Sequence, residues 1–133
     1  MNYRRFKVEK LVRDKTRERL EHKGVYGSYS YADDAEFITL LLRKLQEEAE
    51  EVAQAPTRDE QISELADLME VVHTLIKTMK SSMQEIETKR MQLRDLRGGF
   101  DERAVCHYVD VADDNPAKEY YIAQPDKYPE IDE

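Results

Sequence analysis

A chain of 133 residues has room for one modest core but not two, so its length predicts a single domain with at most a tail. Its formal net charge of −8 argues against nucleic-acid binding, whose affinity comes mainly from Lys and Arg neutralising phosphates. Charged residues make up 38% of it, with only four glycines and four prolines, which suits helices better than a turn-rich sandwich. Cys106 is the single cysteine and has no internal partner, which favours a reducing cytoplasm. Apolar runs such as Leu40-Leu41-Leu42 are far too short to span a membrane. The segment Met1-Asn2-Tyr3-Arg4-Arg5 has no apolar stretch behind it and does not read as a secretory signal. The expected protein is soluble, cytoplasmic and unattached to membranes.

Taken in chain order, residues 10–23 read as a basic first helix (Lys10, Arg13, Lys15, Arg17, Arg19) closed by Gly24. Gly27 to Tyr31 alternates small and aromatic residues, as a short extended segment would. Asp33-Asp34 supplies an N-cap for a second helix over about 35–55. Pro56 to Asp59 forms a connection, and Thr57 with Glu60 has the spacing of a capping box for a third helix reaching about Lys80. A fourth helix over about 82–96 stops at Gly98-Gly99. Arg103 to Val111 alternates like a strand. The predicted fold is therefore all-α: an antiparallel bundle of about four helices with short extended segments. An irregular, acidic tail over 109–133, containing Tyr and Pro, follows a domain over 1–108.

Four acids in the centre of the chain carry the chemistry. Glu48 and Glu51 form one i,i+3 pair, and Glu64 and Asp67 form another, on opposite sides of the turn at Pro56. Residues three apart share a helix face, so each pair points one way. Glu48 and Glu64 each lie eight residues from Pro56, and folding the hairpin brings them level. Helical phase also places Glu48 inside the apolar stripe of Phe37, Leu41, Leu45 and Val52, while Glu50 points to the opposite side. On the third helix the main stripe is Ile62, Leu65, Met69, Val72 and Ile76. Glu64 lies with Leu68, Val71 and Leu75 on a second apolar flank that Asp67 borders. Converging carboxylates repel and raise one another's pKa, and buried charge needs a partner. The pattern therefore invites a divalent metal ion.

An acidic run such as Glu47 to Glu51 is, taken alone, most often a solvated helix face. The stripe position of Glu48, the second pair and the symmetry about Pro56 together outweigh that reading. Glu70 and His73 have the spacing found in di-iron bundles, but His22 and His107 do not complete such a site. No serine or cysteine has a legible His and acid partner for covalent catalysis.

Written out, Glu47-Glu48-Ala49-Glu50-Glu51, twelve residues, then Glu64-Leu65-Ala66-Asp67 resembles the EExxE…ExxD signature of the all-α nucleoside triphosphate pyrophosphohydrolases. That superfamily includes MazG-like proteins, dimeric dUTPases and phosphoribosyl-ATP pyrophosphohydrolase. Lys10 to Lys15 resembles the KLVRDK opening, and Arg97 to Phe100 the RGGF segment, of its phosphoribosyl-ATP-pyrophosphohydrolase-like, house-cleaning branch. The three motifs cover roughly 8–106. Two departures stand out: Thr16-Arg17 replaces the branch's common Ile-Pro, and Leu93 replaces a lysine, with Arg90 or Arg94 as substitutes.

The resemblance implies hydrolysis of a nucleoside triphosphate, non-canonical or surplus, between its α- and β-phosphates. It implies Mg²⁺, with Mn²⁺ as the alternative, on Glu48, Glu51, Glu64 and Asp67, and Glu47 as the residue that orients or deprotonates the attacking water. The outer phosphates need cations, and Lys10, Arg13, Lys15, Lys44, Arg94 and Arg97 are the candidates. The rival readings are a non-catalytic helical interaction module and phosphoribosyl-ATP hydrolysis. Apolar faces on more than one side of short helices predict a homodimer or homotetramer. Tyr108, Tyr120, Tyr121 and Tyr128 of the tail are expected to cover the helical body, stay partly disordered around Pro116, Pro125 and Pro129, pack on a neighbouring subunit or shape the base pocket.

Overall fold

Residues 2–132 are described by a computed structural model. Five helices follow in chain order: α1 (Thr16–His22), α2 (Asp34–Gln54), α3 (Arg58–Thr78), α4 (Met83–Arg97) and α5 (Lys118–Ile122). No strand occurs among the described residues. The all-α expectation therefore holds, and the closely packed pair is α2 against α3. The chain divides into two compact units between Leu93 and Arg94.

In the first unit, local chemistry sets the helix ends. Asp33 accepts from the Glu36 amide at 2.9 Å and Thr57 from the Glu60 amide at 3.2 Å, each relieving an unpaired donor of a first turn. Ser82 does the same for α4 through the Glu85 amide at 3.1 Å. Ala55 and Thr57 are extended, so the chain leaves α2 and enters α3 across a short turn that returns α3 antiparallel to α2. Leu41, Val71 and Ile76 are the buried apolar residues of this pair. Ile38, Leu42, Ile62, Leu65 and Met69 are left more than 40% exposed, so the hairpin has apolar surface beyond its own seam.

Three expectations require correction. The first helix starts at Thr16 rather than at residue 10, and residues 10–15 have no regular structure. Lys15 at its N-cap makes no side-chain capping bond. A positive side chain there also opposes the helix dipole, so nothing nucleates an earlier turn. Neither Gly27–Tyr31 nor Arg103–Val111 forms a strand. An isolated alternating segment without a partner ladder has little to stabilise it. Gly24 does close α1, in the left-handed region at φ 77°.

The second unit contains the end of α4, where Gly98 is left-handed at φ 82° and its amide donates to Arg94 O at 2.7 Å. Farther on, Asn115 Oδ1 accepts from the Ala117 amide at 2.9 Å just before α5, a helix the sequence did not predict. Tyr120, Tyr121 and Tyr128 pack on one another with ring centroids 5.1–5.8 Å apart, largely edge to face.

Candidate metal and phosphate site

The acidic pairs meet on the packed face of the hairpin. One carboxylate oxygen from each of Glu48, Glu51 and Glu64 lies within 4.8 Å of the other two. Glu48 is only 6% exposed, in the stripe whose core member Leu41 sits two turns earlier. Its Oε2 is buried without a hydrogen-bond partner, and so is Oε2 of Glu64. Leaving a buried polar atom unpaired costs roughly 1–3 kcal/mol, and more when it is charged. Glu50 lies on the exposed side and accepts from Gln54 Nε2 at 2.8 Å.

The electrostatics express the same crowding. Burial pushes the Glu48 carboxyl above its usual range, the Glu51 and Asp67 charges push it further, and Lys44 partly offsets them. Glu64 is also raised, first by the close Glu51 carboxyl, then by burial and by the charges of Asp67 and Glu48. Such crowding favours a positive charge in the middle of the cluster. Three oxygens of this hard donor type suit a divalent cation such as Mg²⁺ or Ca²⁺ rather than a soft metal.

Asp67 stands at the edge of the cluster. Its Oδ1 accepts from Arg13 Nη2 at 2.9 Å. Glu47, also outside the three, accepts at Oε1 from Lys10 Nζ at 3.0 Å, and Lys44 Nζ lies 3.9 Å from the same atom. Lys44 Nζ is 3.6 Å from Glu48 Oε1. Lys10, Arg13 and Lys44 are therefore gathered at the acidic face, whereas Lys15 makes no ion pair among the described residues. Arg94 and Arg97 belong to the second unit, where Arg94 Nη2 donates to Asp101 Oδ2 at 3.3 Å.

A pocket of about 220 Å³ opens between residues 8–11 and α2, walled by Val8, Leu11 and Leu40, with Lys10, Arg43, Lys44 and Glu47 at its polar side. Sequence reasoning missed Arg43. The signal was present in the spacing of Leu40, Arg43, Lys44 and Glu47, which share one helix face. A larger depression of about 590 Å³ along α4 shares no residue with the carboxylates.

With this geometry in place, the comparison with known families is decisive. The sequence model of the phosphoribosyl-ATP pyrophosphohydrolase family matches residues 6–91, well over half of the chain. The protein belongs to this family. The match runs from the segment carrying Lys10 and Arg13 through both acidic pairs and into α4. No curated protein and no solved structure matches the chain. The family is one of metal-dependent pyrophosphohydrolases, and the acidic cluster is a fitting place for the metal.

Proposed function

We propose that the protein is a Mg²⁺-dependent pyrophosphohydrolase. It cleaves nucleoside triphosphates, non-canonical or surplus ones, between the α- and β-phosphates to give a nucleoside monophosphate and pyrophosphate. The observation that carries this reading is the buried Glu48, whose Oε2 has no hydrogen-bond partner, set against Glu51 and Glu64 in a chain of this family. A helical interaction module would have no use for an ionisable group at that place in its packed face.

Glu48, Glu51, Glu64 and Asp67 would hold the metal ion, with Mn²⁺ as an alternative to Mg²⁺. Bound there, a divalent cation neutralises charge on the transferring phosphoryl group and makes water a better nucleophile. The chain's own residues do the rest. Lys10 and Lys44 both address Oε1 of Glu47, which leaves Oε2 as the atom to accept the water's proton. Lys10, Arg13 and Lys44 supply positive charge for the outer phosphates, with Lys15 as a further candidate. The pocket beside α2 offers apolar walls and three cations next to the cluster. The exposed apolar side chains of the hairpin support a homodimer or homotetramer as the working form, which light scattering would measure.

A second reading has a specific observation in its favour: the matching family is described by phosphoribosyl-ATP, which shares the same triphosphate. Both are tested by pyrophosphate release from canonical and modified nucleoside triphosphates and from phosphoribosyl-ATP, with Mg²⁺ or EDTA, for the native chain and Glu48→Gln. Metal-dependent release that the substitution abolishes is the expected result, and the fastest substrate decides between the two. No release from any of them leaves the interaction module.

A further inference from the structure

Lys10 and Arg13 lie on a segment held to the hairpin in an unusual way. Residues 10–15 are irregular, and among the described residues no backbone hydrogen bond joins them to α2 or α3. The polar ties are two ion pairs between partners far apart in sequence. Arg13 Nη2 reaches Asp67 Oδ1 at 2.9 Å, and Lys10 Nζ reaches Glu47 Oε1 at 3.0 Å. Both pairs are open to solvent, with Arg13 59% and Asp67 44% exposed. Lys44 differs, since it stands on α2 itself and cannot leave its face.

We propose that residues 10–15 form a counter-ion strap: in the metal-free protein Arg13 and Lys10 neutralise the acidic face, and a divalent cation displaces Arg13 from Asp67. This rests on the reading of the carboxylate cluster as a cation site. The displacement follows from charge. A guanidinium at 2.9 Å from Asp67 and a dication gathered by Asp67 and its neighbours repel each other at short range. The ion pair is exposed enough to yield, and the irregular backbone lets the segment move without breaking a helix. Once displaced, Arg13 is a cation beside the metal with no acid of its own, placed to meet the substrate's phosphates. The strap thereby couples the two binding events: metal enters, and the phosphate-binding group is released.

The sign of the coupling makes it testable by titration with Mn²⁺ alone, followed calorimetrically on the full chain. Removing the competing charge with Arg13→Gln should tighten Mn²⁺ binding by about two- to fivefold, the range open to an exposed ion pair. Arg13→Lys should bind as the native chain does, because a single contact needs only a point charge. Lys77→Gln is the control for net charge. Lys77 is ten residues beyond Asp67 on α3, roughly 15 Å along the axis, past the screening length of about 8 Å at physiological salt. With Mn²⁺ saturating, pyrophosphate should then bind more weakly to Arg13→Gln than to the native chain. Unchanged Mn²⁺ affinity in Arg13→Gln overturns the strap while leaving the metal site intact. Weaker Mn²⁺ binding also overturns it, because Arg13 would then be holding Asp67 in its ligating position. Failure of the native chain to bind Mn²⁺ removes the metal site and the strap together.

Discussion

Glu48, Glu51 and Glu64 stand on two 21-residue helices capped by Asp33 and Thr57, whereas Lys10 and Arg13 stand on a segment with no regular structure. The carboxylates are fixed to within one cluster by helix packing. The cations reach the same face through long side chains alone. Metal coordination tolerates little error in ligand position, so its ligands belong on rigid elements. Phosphates that arrive and leave are better met by groups free to follow them. The two regions divide the work of one site between fixed and adaptable charge.

The sharpest way to break this comparison is to neutralise acids of similar sequence context but different placement. Glu64→Gln should lower metal-dependent turnover by at least about 100-fold, as loss of a group at a metal centre does. Glu50→Gln, on the solvent side of α2, should leave it unchanged within error. Equal effects at the two positions, read from steady-state rates, would mean that general acidity rather than the cluster matters.

A smaller effect follows from the raised carboxyls of Glu48 and Glu64. A carboxyl whose pKa is higher in the folded chain stabilises the fold fully below its unfolded value of about 4.3 and loses that contribution as pH rises through the folded value. Thermal melts in EDTA should therefore show the native chain losing Tm relative to Glu48→Gln as pH rises from about 4 towards neutrality. Mg²⁺ at neutral pH should restore it by supplying the missing positive charge, with protons released on binding. A melting temperature indifferent to both pH and Mg²⁺ would show that the fixed acids are not under strain. The smallest effect belongs to the scaffold. Thr57→Ala removes the α3 cap and should cost about 1 kcal/mol in denaturant unfolding. It should not alter the slope of Tm with pH.

The same division explains what could be read from sequence. Helices α2 and α3 were legible because apolar residues at helical spacing and two capping side chains mark them, and Glu48 was conspicuous as an acid inside that periodicity. The position of residues 10–15 was not legible, because periodicity describes helices and the segment is placed by ion pairs with Glu47 and Asp67, 37 and 54 residues away. Its basic residues resembled a helix face only in composition. The alternating run Arg103–Val111 misled for a related reason: alternation describes a strand only where another strand pairs with it. Helix α5 spans five residues, too few for any period to show. Its aromatic cluster depends on Tyr128 returning to Tyr120 and Tyr121, which spacing alone does not reveal.

The short turn between Gln54 and Arg58 has a consequence for how the chain folds. All four carboxylates lie between Glu48 and Asp67, so they approach one another as soon as this local hairpin closes. Contacts so near in sequence normally form fast, since little loop entropy opposes them. Here the same proximity brings like charges together in the closing step, before the remainder of the chain can compensate. Divalent cations present during refolding would then act on the rate of hairpin closure as well as on the finished site.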